Sequence, residues 1–346
     1  MAANDPRAQP ALAGRLETGT IEASALAGNP LGDPSTRTAY VYLPPGYNTD
    51  PVRGFPTVYV LQGYASHVDM WWNRDAFRPP FPVAADRLFA SGEVPPTVVV
   101  YVDAWTAYGG SQFVDSPGTG NYHTYLCADV VPWVDGRYRT LADRDHRGIA
   151  GHSSGGFGAM ITSMLRPDLF GGFATHAGDG LYELAYIPEF GKAARHLRDY
   201  DGDIMRWWAE FQSRPAFTKP ADDVLLMMLG VAACFSADES GTPLSPFDPH
   251  SGQLRQDIWQ RWLAWDPVRM ASRYADALRS MRAIWIDAGV HDEWYLDLAA
   301  TAFHRELMAI GVNDAHFELF EGGHGRIGYR YPLSLAYLAE RLSADK

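Results

Sequence analysis

The sequence predicts an α/β fold: a mostly parallel central sheet flanked by helices, with a helical segment inserted late in the chain. Three patterns carry this reading. Short apolar runs at 56–61, 96–102, 147–152, 172–176 and 283–288 have the character of strands covered on both faces. Stretches with helical spacing alternate with them, as a doubly wound sheet requires. One long segment, 181–280, carries helical patterns and no strand pattern.

The elements follow in order. Residues 1–14 are polar and rich in Ala and Pro, and read as a flexible tail. The segments 15–23 and 36–43 alternate polar and apolar residues and suit two antiparallel strands at a sheet edge. The second ends at the turn Pro44-Pro45-Gly46-Tyr47. The run at 56–61 stops before Gly63, and a helix at 82–91 separates it from the run at 96–102. At 124–138, Leu126, Val130, Val131 and Val134 fall on one helical side. Strands at 147–152 and 172–176 bracket a helix running from Phe157 to Leu165. After the strand at 283–288, a helix at 295–310 has Leu296, Ala299, Ala300, Phe303, Leu307 and Ile310 at helical spacing. A strand at 317–320 and a helix at 333–342 finish the chain. The core is thus 15–180 with 281–346, and 181–280 is an inserted helical cap.

The cap contains helical patterns at 204–211, 222–233 and 256–265, with a Ser/Gly/Pro/Asp loop at 236–252. An insertion at the carboxyl end of a sheet strand lies above the ligand crevice. Most of its large apolar residues serve a satellite core. Trp207, Trp208, Met227 and Met228 are the candidates to line a pocket.

Composition excludes several classes. The chain of 346 residues is 47% hydrophobic and 20% charged, as in ordinary globular proteins of one large or two smaller domains. A net charge of −12 argues against a nucleic-acid surface or an anionic membrane. No apolar run reaches the length of a membrane span. Cys127 and Cys234 are too few for a disulfide framework or a zinc site. No charged leader with an apolar core opens the chain, which favours a cytoplasmic protein over a trimmed secreted one. A homo-oligomer is compatible with this composition.

The chemistry centres on Gly151-His152-Ser153-Ser154-Gly155. The five-residue string alone is common. Here it joins an apolar strand to a helix, which is the strand–turn–helix context of a nucleophile elbow. A serine on such a turn is strained, and a side chain at either flanking glycine would collide with backbone. The helix that follows offers unpaired N–H groups and its positive dipole end.

A serine hydroxyl needs a base, and the base needs an orienting acid. Two later stretches fit the order Ser, acid, His. Asp287-Ala288-Gly289-Val290-His291-Asp292-Glu293 follows a buried strand, and Glu321-Gly322-Gly323-His324-Gly325 follows the last one. Asp292 is the acid, because Gly289 lets the chain turn toward His324. Asp287 comes too early and is expected to bond within its own loop. Glu293 suits a helix N-terminus. His291 is the main competitor of His324, and His152 is expected to point away from the nucleophile's side. The oxyanion hole needs two backbone donors. One is the N–H of Ser154. The other comes from the loop after 56–61, at Tyr64. Trp71 and Trp72 border the leaving-group side.

Several stretches together resemble the esterase D group of α/β-hydrolases. They are Val41-Tyr42-Leu43-Pro44-Pro45-Gly46-Tyr47, Val58-Tyr59-Val60-Leu61-Gln62-Gly63, Trp133-Val134-Asp135-Gly136-Arg137-Tyr138-Arg139-Thr140, the elbow, and Gly322-Gly323-His324. That group includes S-formylglutathione hydrolases, enterochelin, feruloyl and acetylxylan esterases, and mycolyltransferases. The resemblance covers about 15–180 and 282–342 and skips the cap. Gln62-Gly63 stands where the family often has His-Gly. The resemblance implies an α/β-hydrolase fold and no metal or organic cofactor. The sequence therefore reads as a serine carboxylic ester hydrolase that forms an acyl-enzyme on a small-molecule ester. A thioesterase or acyltransferase would use the same triad. A hydrolase-like binding protein would have no need of all three residues.

Overall fold

The computed structural model of the chain describes residues 11–73, 77–215 and 217–343. Residues 1–10 of the expected tail lie outside that range. Ala13 and Gly14, also placed in the tail, are tied down. Their N–H groups donate to the buried Asp86 carboxylate at 2.9 and 2.7 Å.

Eight strands form the main sheet. They are β1 (Arg15–Glu22), β2 (Thr36–Leu43), β3 (Thr57–Leu61), β4 (Val98–Val102) and, after a small hairpin of β5 (Asp115–Ser116) and β6 (Gly120–Asn121), β7 (Arg147–His152), β8 (Gly172–His176), β9 (Ala283–Gly289) and β10 (His316–Phe320). Across the sheet the order is β1-β2-β4-β3-β7-β8-β9-β10. β2 pairs antiparallel with both β1 and β4, and the remaining pairs are parallel. This is the mostly parallel sheet expected from the alternation of runs, in the α/β-hydrolase arrangement that the family resemblance implied.

The strands are buried on both faces, and β3 explains how. Successive side chains point to opposite sides of a strand. Tyr59 and Leu61 enter one buried layer, and Val58 and Val60 the other. Helices Ser154–Leu165 and Leu296–Ala309 close the first layer. Phe81–Ala90 and Tyr331–Ser343 close the second. Because the central strands are parallel, the turns after β3, β7, β8, β9 and β10 gather at one sheet edge.

One core helix departs from expectation. The stretch expected as a helix at 124–138 is a short turn, Tyr122–Thr124, a wide π-turn, Tyr125–Val130, and an α-helix, Val131–Asp135. Pro132 has no N–H for the carbonyl one turn back, which favours the wider turn before it.

The segment between β8 and β9 is helical, with Ile187–Leu197, Ile204–Ser213, Asp222–Phe235 and Gln256–Leu263 as its main elements. Its pairings among the described residues are two isolated bridges, Ala237 with Pro243 and Phe247 with Leu254. Phe190, Phe247, Trp259 and Trp262 pack ring on ring inside it. Asp222 locks its middle. The Arg214 guanidinium donates to both carboxylate oxygens at 2.6 Å. The N–H groups of Thr218 and Lys219 and the Trp207 indole add three further donors.

These donors, Arg214 foremost, hold the Asp222 carboxyl below its ordinary value against the opposing effect of burial. A depressed acid stabilises the fold above its unfolded value and loses that contribution as pH falls through the folded one. Asp222→Asn is therefore expected to lower the thermal midpoint by a few degrees at neutral pH. The gap to the parent should close as the pH is taken well below the ordinary carboxylate range. Differential scanning fluorimetry from neutral pH into acid measures both.

Candidate functional site

The site grows from the turn after β7. Ser153 has φ 57° and ψ −127°, a backbone conformation that a residue with a side chain rarely adopts. Its N–H donates to the His176 carbonyl at 3.0 Å, and its own carbonyl accepts from the Phe157 N–H at 2.9 Å. The flanking glycines are forced by space. A Cβ on Gly151 would lie 2.3 Å from the carbonyl carbon of Gly155, and one on Gly155 would lie 2.4 Å from the Leu61 carbonyl oxygen.

The residues expected as base and acid come together here. His324 Nε2 lies 3.0 Å from Ser153 Oγ, and His324 Nδ1 lies 2.8 Å from Asp292 Oδ2. The other Asp292 oxygen accepts from the N–H groups of Trp294 at 2.8 Å and Leu296 at 3.4 Å. Asp292 is buried and so has little freedom to turn away. Glu293 accepts the backbone N–H of His324 at 2.8 Å, so it holds the loop rather than the ring. His291 is exposed and pairs with Glu321 at 3.0 Å, away from Ser153.

Two expectations are corrected. His152 does not point away: its ring lies against that of His324, with centroids 4.6 Å apart. Burial, with the charges of His324 and His176, pushes the His152 imidazole down to about 3, so it stacks as a neutral ring. Asp287 does not bond within its loop. It is fully buried and accepts from Trp285 and Arg330 at 2.9 and 2.8 Å. Its other oxygen lies 2.6 Å from His176 Nδ1. Burial alone would raise its carboxyl, yet these partners hold it below the ordinary value.

The backbone of the loop after β3 passes beside the elbow. A Cβ on Gly63 would lie 3.5 Å from the His152 carbonyl oxygen and 3.9 Å from Ser153 Cβ. The Tyr64 hydroxyl anchors this loop on the Leu226 carbonyl at 2.7 Å and also reaches the Tyr108 carbonyl. Gln62 bonds to the Ser66 carbonyl through its amide nitrogen and accepts from Ala104 N–H through its oxygen. Ser154 is the first residue of its helix, so its N–H has no carbonyl one turn back within that helix.

Two spaces meet at Ser153 and Tyr64. One is a groove of about 900 Å³, whose walls include His324, His152, Trp71, Phe81, Tyr329 and Tyr331. The other is a chamber of about 190 Å³ lined by Gln112, Asp179, Ala185, Tyr186, Met227, Val231, Trp294 and Leu296. Of the cap residues expected at a pocket, Met227 lines the chamber. Trp207, Trp208 and Met228 do not. Trp207 is buried against Phe211 and Asp222, Trp208 packs on Tyr108, and Met228 is buried. Trp72 lines neither space, while Trp71 reaches the groove from a buried position against Phe81, Tyr101 and Tyr331.

Sequence reasoning missed Asp179, Gln112, Tyr186 and Trp294. Asp179 carried a usable signal. It sits in Gly178-Asp179-Gly180, just past the carboxyl end of β8, where the sheet edge collects functional groups. Burial raises its carboxyl, with His324 and the hydrogen bonds of Tyr186 and Gln112 opposing.

The sheet order and the turns gathered at its edge define the α/β-hydrolase fold. A ferulic acid esterase structure covers 95% of this chain and 99% of its own, with TM-score 0.61 and 20% identity. An S-formylglutathione hydrolase from Agrobacterium tumefaciens covers 97% and 98%, with TM-score 0.57 and 16% identity. These likenesses concern the fold. Residues 34–337 match the family model described as "Putative esterase", and the chain belongs to that family. An esterase of Mycobacterium tuberculosis (strain ATCC 25618 / H37Rv) is 31% identical over 142 residues, which are 40% of this chain and 28% of the relative. An endo-1,4-beta-xylanase/feruloyl esterase of Xylanibacter ruminicola is 28% identical over 162 residues, 44% of this chain and 20% of the relative. The matched stretch spans less than a third of either relative.

Proposed function

We propose that this chain is a serine carboxylic ester hydrolase. The observation that carries the reading is the linked chain Ser153–His324–Asp292, at 3.0 and 2.8 Å, on a strained elbow. Ser153 Oγ attacks the ester carbonyl while His324 takes its proton. Asp292 fixes the ring so that Nε2 faces the serine, and stabilises the imidazolium as it forms. The N–H groups of Ser154 and Tyr64 receive the oxyanion. His324 then protonates the departing alcohol. Water, activated by the same imidazole, releases the acid from the acyl-enzyme. Membership in the esterase family and the names of its relatives support ester bonds as the target.

The two spaces divide the substrate. The leaving oxygen must lie within reach of His324, which lines the groove and not the chamber. The alcohol therefore leaves through the groove, and the acyl group fills the chamber. A dry cavity of about 150 Å³ accepts a benzene ring. A chamber of about 190 Å³ thus suits a short or single-ring acyl group. The helical segment 181–280 acts as the cap over this chamber, with Met227 as its adaptable wall.

Ser153→Ala is expected to keep the thermal midpoint and remove at least about a thousand-fold of turnover on naphthyl butyrate. Asp292→Asn should also lose orders of magnitude in kcat by favouring the wrong tautomer, whereas Glu293→Gln should cost little. Near-full turnover in the Ser153→Ala protein would end the reading. A graded series of acyl lengths tests the division of the substrate. Met227→Trp should cut kcat/KM for longer acyl groups by roughly ten-fold relative to acetate. Trp207→Ala should leave the chain-length profile as it is and lower thermal stability instead.

A further inference from the structure

Gln112 and Asp179 line the small chamber and take no part in the triad. Gln112 is 2% exposed, and its Oε1 has no hydrogen-bond partner among the described residues. Two successive left-handed residues, Gln112 at φ 49° and Phe113 at φ 53°, put it there. Such strain persists only where the surroundings enforce it. The Gln112 amide nitrogen donates to Asp179 Oδ2 at 3.4 Å, so Gln112 helps to orient that carboxylate. Asp179 Oδ2 also accepts from the Tyr186 hydroxyl at 3.1 Å, and Oδ1 lies 3.4 Å from Ser153 Oγ. The Tyr64 hydroxyl is already committed to backbone carbonyls. The Asp179 carboxylate therefore stands beside the serine, in a chamber otherwise walled largely by apolar groups such as Ala185, Met227, Val231 and Leu296.

That placement has a cost in an empty chamber. A carboxylate beside the serine opposes the negative charge that develops when the carbonyl is attacked. A donor held on Asp179 would offset that repulsion. Position narrows where that donor sits. The acyl carbonyl carbon bonds to Ser153 Oγ, so a group 3.4 Å from that oxygen meets the first substituents of the acyl chain rather than its far end.

We propose that the chamber selects acyl groups bearing a hydrogen-bond donor, a hydroxyl or an ammonium, on the carbon next to the carbonyl, and that Asp179, oriented by Gln112, binds that donor. This rests on the ester-hydrolase reading and deepens it to a substrate class. Asp179 and Gln112 are then specificity-determining residues. The bound donor shields the oxyanion from Asp179. An ammonium would add charge pairing to the hydrogen bonds.

The test compares naphthyl esters of butyrate, α-hydroxybutyrate and α-aminobutyrate. The parent should favour at least one donor-bearing ester over butyrate by about ten-fold in kcat/KM, the scale of one hydrogen bond to a charged group. Asp179→Asn and Gln112→Met should each bring that ratio toward one. Preference for the amine alone would mark charge recognition, and preference for both would mark hydrogen bonding. Either supports the proposal. Equal or lower rates on both donor-bearing esters would overturn it, as would variants that slow all three esters by the same factor. A second measurement needs neither turnover nor a folded Asp179 variant. Ser153→Ala protein should bind α-hydroxybutyramide or α-aminobutyramide more tightly than butyramide in calorimetry, and equal binding of all three overturns the proposal. Absence of hydrolysis of every ester, with discrimination in calorimetry retained, would instead count against the ester-hydrolase reading alone.

Discussion

The backbone of Ser153 is the constraint on which the site depends. At φ 57° and ψ −127° it is unfavourable by itself, and the surroundings must hold it. The hold is mutual. The Ser153 N–H is fixed by the carbonyl of His176 at the end of β8, and the Ala177 N–H is fixed in turn by the Asp287 carbonyl of β9 at 2.7 Å. Gly151 and Gly155 let strand, helix and the Leu61 carbonyl approach as closely as the turn demands. Three adjacent parallel strands thus lock one dihedral, and the hydroxyl stands clear at the sheet edge where His324 meets it.

A second Ser, His and Asp set lies directly beneath. His176 Nε2 is 2.9 Å from Ser334 Oγ and its Nδ1 is 2.6 Å from Asp287 Oδ1, distances much like those at Ser153. All three residues are fully buried. No substrate reaches them, and Arg330 and Trp285 complete the Asp287 shell. The lower set is a brace, and its product is the placement of the His176 carbonyl under the elbow. Residue type and spacing are the same in both sets. Access is the physical difference: the lower set is closed off, and the set at Ser153 opens onto the groove and chamber.

That contrast also explains what the sequence could and could not reveal. Strand runs such as 56–61 and 283–288 were legible because burial on both faces demands unbroken apolar residues. Gly151, Gly155 and Ser153 were legible because sterics leave few alternatives at an elbow. Asp292 and His324 were legible from their place after late strands. The chamber was not. Trp207 and Trp208 have the composition of a pocket wall, yet an indole fills a satellite core as readily as it lines a cavity, and Trp207 does the former around Asp222. Gln112 reaches the chamber through two positive φ angles that no local pattern announces. His152 looked outward by position in the motif, whereas its ring supports His324. Long-range packing decides such cases, and periodicity carries no record of it.

The central claim is that Ser153 is the nucleophile because its strained backbone presents it to His324. Treating the parent protein with a fluorophosphonate ester and mapping the modified peptide by mass spectrometry tests this most directly. A single phosphonyl group per chain is expected on Ser153, with Ser154 and Ser334 unmodified, and labelling is expected to be lost in His324→Ala. Label on another serine, or undiminished labelling of Ser153 without His324, would contradict it.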